Sequence, residues 1–174
     1  MSFFHKEGEI NMIERTFVMI KPDGVKRSLV GEVIRRFENA GLKLIAMKML
    51  WVDKDFAKKH YTEDITQRRG EHVRNALVDY VAEGPVVAMV WEGVAAIEVV
   101  RKIVGGTEPK SALPGTIRGD YTHVSYVYAD EKKIAVKNII HASGDKKDAE
   151  YETRLWFSEE EMFKYKAVHD EHLF

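Results

Sequence analysis

Short β-branched or apolar runs alternate along this chain with segments whose apolar residues recur every three or four positions, and that alternation points to a sheet covered by helices. Residues 16–20 form the first strand-like run, and Pro22, Asp23 and Gly24 stop it so that it ends at Lys21. Val30, Val33, Ile34 and Phe37 then recur at helical spacing, and Gly41 closes that segment. Residues 42–52 predict a second strand, and Asp53 an N-cap for a short helix ending near His60. Residues 73–81 predict a helix closed by Gly84 and Pro85, residues 86–91 a buried strand, and residues 94–104 a helix stopped by Gly105 and Gly106. A long irregular stretch, residues 107–121, holds Pro109, Pro114, Gly115 and Gly119. Loops of that length inside a compact domain are often functional. Residues 138–141 predict a last short strand and residues 149–157 a helix, with Ser158 and the glutamates after it starting one more. The order is β-α-β-(α)-α-β-α-loop-β-α, an α+β or split βαβ arrangement.

A chain of 174 residues without internal repeats or a low-complexity linker is expected to form one domain. Residues 13–174 are that domain, and residues 1–12 a flexible N-terminal extension with Met12 as an alternative start. Between them and the last strand, residues 124–128 and 134–137 both have strand-like content, joined by a polar run at 129–133. This stretch is either a β-hairpin beside the last strand or a solvated loop.

Several functions are disfavoured. The 27 basic and 28 acidic side chains nearly cancel, leaving no broad positive field for a nucleic acid. The chain has no cysteine, hence no disulfide, thiolate nucleophile or cysteine-bound metal, which fits a cytoplasmic protein. The longest apolar run, residues 86–91, is far short of a membrane span. Phosphate-binding glycine loops of the Gly-x-x-x-x-Gly-Lys-Ser/Thr and Gly-x-Gly-x-x-Gly types are missing, as is a protein-kinase catalytic loop. A chain like this can handle phosphate only with side chains.

Candidates for that task exist, each with an ordinary structural alternative. Lys21 ends the first strand on the face of Phe17 and Met19, or is simply a solvated strand end. Arg101 flanks an apolar helical stripe that contains Ile97 and Val100, where a guanidinium either snorkels to water or meets an anion. Arg118 lies between Gly115 and Gly119, glycines that permit close backbone approach to a ligand. His141 shares a strand face with Ile139, with Ser143 just beyond. The other histidines (His5, His60, His72, His123, His169, His172) have no comparable setting, and no spacing suggests a metal site of protein ligands. Spacing alone supports a phosphate-binding α/β domain.

From about Arg15 to Phe157 the sequence resembles the nucleoside diphosphate kinase family. The segment Asn138, Ile139, Ile140, His141, Ala142, Ser143 is similar to the family signature Asn-x-x-His-x-Ser, and residues 20–25, 84–90 and 114–120 match further motifs in the family's order. The resemblance implies a four-stranded antiparallel sheet of ferredoxin-like βαββαβ topology, assembled as tetramers or hexamers. It implies a two-step exchange in which neutral His141 takes the γ-phosphoryl group of one nucleotide and passes it to a nucleoside diphosphate. Lys21 would then reach the transferring group, and Arg101, Thr107 and Arg118 would hold the remaining phosphates. Asn138 would touch ribose and phosphate, and Tyr61 would support the histidine region. Ser143 and Glu152 would orient the imidazole, and Mg²⁺ would arrive on the nucleotide phosphates.

Three departures from the family pattern stand out. Where the family places a phenylalanine against the base, the chain has Val73 or His72, with Leu77 one turn further on as a second aliphatic contact. After Asp120 the chain is longer than the common pattern by roughly ten residues, in the region read as a hairpin. Ser143 is followed by Gly144 and only then Asp145, where the family has aspartate directly after the serine. A regulatory nucleotide-binding module and a nucleic-acid-binding sheet are the competing readings. The first has no need of His141, and the second lacks both a basic field and an aromatic strand motif.

Overall fold

A computed structural model of the chain describes residues 12–172. At its centre lies a four-stranded antiparallel sheet in the order β2-β3-β1-β4, formed by β1 (Ile13–Ile20), β2 (Lys43–Leu50), β3 (Val86–Val94) and β4 (Ile140–Ala142). Helices α1 (Pro22–Lys26) and α2 (Val30–Asn39) connect β1 to β2. Helices α3 (Lys54–His60), α4 (Glu63–Arg69) and α5 (Glu71–Ala82) lead from β2 to β3. Between β3 and β4 come α6 (Ala96–Val104), a 3₁₀ turn at Pro109–Ser111, α7 (Ile117–Tyr121) and α8 (Tyr126–Lys132). The chain ends with α9 (Lys146–Trp156), a 3₁₀ turn at Glu159–Glu161 and α10 (Val168–His172). With α2 and α6 as crossovers, this is the expected βαββαβ arrangement.

The central strands are apolar on both sides because both faces of the sheet are covered. Phe17 and Met19 of β1 point into one core with Ala57, Val78, Val81 and Trp156. Val18 and Ile20 point into the other, with Val33, Phe37, Trp91 and Val100. A strand buried on two faces reads as a continuous apolar run, which explains residues 86–91. Each fully buried side chain of this size contributes about 1.5–3 kcal/mol, so β1 and β3 anchor the sheet. Strand β2 lies at the edge, with Met47 and Met49 exposed, and there the alternation is visible.

Besides α4 and α7, which were not expected, three segments differ from expectation. The stretch read as a hairpin or solvated loop is helical instead: Ser125 Oγ accepts the Tyr128 N–H as an N-cap, and Lys133 closes α8 in left-handed backbone at φ 53. Local capping outweighed a short alternation that had no strand to pair with. The last strand begins at Ile140, because the Ile140 N–H bonds back to Asn138 O at 2.7 Å around Ile139, whose φ is 70. This is a γ-turn, strained for a buried β-branched residue. After Ser158 there is only a single 3₁₀ turn, held by a capping box between Ser158 and Glu161.

The expected extension, residues 1–12, lies outside the described residues except for Met12. Among the described residues no helix is long and apolar enough to cross a membrane.

Candidate active site

Strands β1 and β4 pair with Met19 opposite His141. Opposed residues of an antiparallel pair share a face. His141 therefore joins Phe17, Met19 and Lys21 on the side covered by α3, α5 and α9, where its ring lies 6.0 Å from that of Phe17. Beside it opens a cleft of about 730 Å³. Lys21, Tyr61, Val73, Leu77, Arg101, Thr107, Arg118, Asn138 and His141 all line this cleft. These residues come from four elements and four connections, and only the fold brings them together.

Behind His141 stands a carboxylate. Both oxygens of Glu152 lie against His141 Nε2, at 2.8 and 2.9 Å, and Ser143 Oγ donates to Glu152 Oε2 at 2.6 Å. Burial pushes the Glu152 carboxyl up, but His141, His60 and Ser143 together outweigh it and hold the group below the usual carboxylate range. An ionised Glu152 fixes a proton on Nε2, which leaves Nδ1 as the ring nitrogen carrying a lone pair.

The cations are held without neutralisation. Lys21 caps α1 after β1 ends, its N–H donating to Ile139 O at 2.7 Å and its Nζ to Asn138 Oδ1 at 2.8 Å. Burial, reinforced by the charge of Arg118, lowers its pKa to about 7. Arg118 is buried too, and donates to the carbonyls of Gly105, Asn138 and Ile140 at 2.9, 3.4 and 2.7 Å. Burial takes its pKa down to about 10, with Arg101 adding to the fall. Buried cations facing carbonyls instead of carboxylates are costly unless an anion joins them. Arg101 reaches in from the exposed flank of α6, its Nη1 donating to Ser143 O at 3.5 Å. Asn138 Nδ2 donates to Thr107 O at 3.0 Å, which ties the long connection to the active-site strand.

Tyr61 has its hydroxyl buried without a protein partner, and burial pushes its pKa up. Its ring lies 4.7 Å from that of His60, whose ring is in turn 4.6 Å from that of His141. His60 was passed over in the sequence, where its adjacency to Tyr61 is the only hint. It is fully buried, accepts from Trp156 Nε1 at 3.3 Å, and has a pKa lowered to about 3 by burial and by His141. His60, His141 and Glu152 bring ligand-type atoms within 4.8 Å of one another, a convergence invisible to spacing. Glu152 bonds His141 and Ser143, and His60 Nδ1 accepts from Trp156, while His60 Nε2 is buried without a protein partner.

Asp23 was likewise read only as a strand stop. Its carboxylate accepts the Ile139 N–H at 3.2 Å and the Tyr80 hydroxyl, clamping the strained turn that aims His141. Gly119 does not serve ligand approach. A Cβ there would sit 2.1 Å from Leu113 O, so its role is to pack the loop under Arg118. At Gly144 a Cβ would meet Asp148 Oδ2 at 2.7 Å, so the Asp148 carboxylate fills the space of a side chain there. Asp145 instead caps α9.

The family model described as nucleoside diphosphate kinase matches residues 14–162. The chain belongs to the nucleoside diphosphate kinase family. Among curated relatives, the nucleoside diphosphate kinase of Borreliella burgdorferi is 49% identical, covering 89% of this chain and 93% of its own. That of Pyrococcus furiosus is 50% identical, with 90% of each chain covered. A solved Borrelia burgdorferi nucleoside-diphosphate kinase, a transition-state mimic with bound vanadate and ADP, superposes with a TM-score of 0.91 at 47% identity, over 92% of this chain and 96% of that one. A halophilic family member from Halobacterium salinarum in complex with CDP gives 0.80 at 36%, over 92% and 98%. The kinase is thus a phosphotransferase acting on nucleotides, with the fold expected of it.

Proposed function

We propose that phosphoryl exchange proceeds in two half-reactions, with His141 carrying the phosphoryl group between a donor triphosphate and an acceptor diphosphate. The single observation behind this reading is the His141–Glu152 contact, which turns Nε2 to the carboxylate and leaves Nδ1 available in a cleft that Lys21, Arg101 and Arg118 also line. In the first half-reaction Nδ1 attacks the γ-phosphorus and the nucleoside diphosphate leaves. In the second, the terminal phosphate oxygen of an acceptor attacks the phosphorus and the imidazole leaves. Lys21 serves the transferring oxygens, while Arg101, Thr107 and Arg118 hold the other phosphates and gather charge as it spreads. Asn138 contacts ribose and phosphate, Val73 and Leu77 form an aliphatic base contact, and Tyr61, Ser143 and Glu152 support the imidazole.

Among the described residues the cleft lining offers Lys21, Arg101 and Arg118, with Asp148 as a single carboxylate near Arg101 and no cage of carboxylate oxygens. That donor set fits Mg²⁺ arriving on the nucleotide phosphates. When bound there, the ion supplies charge neutralisation along the phosphate chain. The partners in this reading are nucleoside di- and triphosphates and further copies of the chain, as a tetramer or hexamer in the cytoplasm. The exposed Met47, Met49 and Trp51 along edge strand β2 support self-association.

Incubation with Mg²⁺ and γ-labelled ATP, followed by a GDP chase, tests the proposal. Acid-labile label on the wild type but not on His141→Ala, released as labelled GTP, is the expected result. A wild type that binds nucleotide yet takes no label would replace this reading with the regulatory one.

A further inference from the structure

The aromatic contact that Val73 does not offer is available elsewhere in the lining of the cleft. Helix α8, absent from the expected pattern, lines the cleft with Tyr126, Ala129 and Asp130, and the chain after it adds Ile134, Ala135 and Val136. Val73, Ala76 and Leu77 of α5 line the same space. The Arg69 guanidinium, at the end of α4 and just before the turn of α5 that carries Val73, lies 4.7 Å from the Tyr126 ring centroid. This places the ring where α8 and the α4–α5 junction meet, and the ring still lines the cleft.

The segment is built in. The Tyr126 N–H donates to Glu108 Oε1 at 2.8 Å, and the Lys110 N–H to Val124 O at 3.2 Å, fastening the start of α8 to the preceding turn. The Ile134 N–H closes on Ala129 O at 3.0 Å, and Thr122 Oγ1 donates to Lys137 O at 3.1 Å. Lys137 Nζ reaches Glu83 Oε1 at 2.7 Å, and Ala129 and Ala135 are buried. A wall fastened at both ends presents its side chains to a ligand without first being ordered, which spares binding that entropy cost.

We propose that α8 is the outer wall of the nucleotide site and that Tyr126 is a nucleoside-contacting residue, supplying from the inserted segment the aromatic surface that α5 lacks. The inference rests on the functional reading above and adds a binding determinant to it. Tyrosine suits the place because its ring meets any base through its face and needs no base-edge hydrogen bond.

The test compares wild type, Tyr126→Leu and Tyr126→Phe with two phosphoryl donors, Mg²⁺-ATP and phosphoramidate. Phosphoramidate carries neither base nor ribose; its P–N bond breaks, ammonia leaves and the imidazole nitrogen takes the phosphoryl group. Loss of one stacked ring predicts KM values for ATP and GDP about tenfold higher in Tyr126→Leu, with kcat much less affected. Tyr126→Phe should stay within about twofold of wild type, since ring stacking is retained. Labelling of His141 by phosphoramidate should be equal in all three proteins. Unchanged KM values in Tyr126→Leu would overturn the proposal, and so would a parallel loss of phosphoramidate labelling, which would mean that the substitution damages the site and removes no nucleoside contact. Labelling of the wild type by ATP scores the parent reading separately.

Discussion

His141 Nε2 meets both carboxylate oxygens of Glu152, at 2.8 and 2.9 Å, and on the proposed mechanism this contact leaves Nδ1 as the attacking nitrogen. Glu152→Gln removes the charge that holds the proton on Nε2. A hydrogen bond to a charged group is worth about 1.5–3 kcal/mol, so phosphorylation by ATP should slow roughly tenfold to hundredfold. Single-turnover labelling at saturating ATP reads this directly, and an unchanged rate would deny Glu152 its orienting role.

Lys21 couples nucleotide binding to protons. In the free protein burial holds its pKa at about 7, so at pH 8 most of it is neutral. A polyphosphate beside it favours the charged form and raises that pKa. Binding of ADP at pH 8 should therefore take up protons, and affinity should fall as pH rises from 7 to 9. Calorimetry in buffers of different ionisation enthalpy measures the uptake; Lys21→Met should abolish it.

His60 makes the fold sensitive to acid. Its pKa drops from 6.5 to about 3 on folding, so between those values the unfolded chain binds more protons. The stability tied to neutral His60 is fully present above pH 6.5 and lost progressively as pH falls towards 3. His60→Gln should flatten this part of the profile in urea melts at pH 4 to 7. An identical slope in both proteins would count against the assignment.

Val73→Phe adds a ring on the α5 side of a roomy cleft. Aromatic contacts add about 0.5–1.5 kcal/mol beyond buried area, so GDP should bind roughly twofold to tenfold tighter. Poorer or unchanged affinity by calorimetry would show that the aliphatic wall is already matched to its ligand.

Gly119→Ala sets a Cβ against the Leu113 carbonyl, which belongs to the backbone and has little freedom to move. Overpacking of this kind costs about 1–3 kcal/mol. A lowered thermal midpoint with weakened nucleotide binding is expected, since α7 carries Arg118 as well as Gly119. Wild-type melting would show that the loop yields.

The central strands, the helix capped by Asp53 and the helix stopped by Gly105 could be read in the sequence because their signals are local: a two-sided apolar run, a cap, a glycine. His141, Lys21 and Arg118 were legible as candidates, and their motifs in order named the family. Helix α8 was not, because its alternation resembled a strand while Ser125 and Lys133 supplied helix caps that a period count ignores. Nor could the sequence select His60, since residues 60, 141 and 152 become neighbours only when α3 and α9 pack on one face of the sheet. The same holds for Gly119, whose lack of a side chain is explained by the Leu113 backbone. The sequence alone determined which chemical groups this protein carries and which elements hold them. The tertiary structure decided which of those groups are buried together: burial, by removing water from Lys21, Arg118 and His60, lowers their proton affinities, while the partners packed around Glu152 outweigh its burial, and together these turn ordinary side chains into a site.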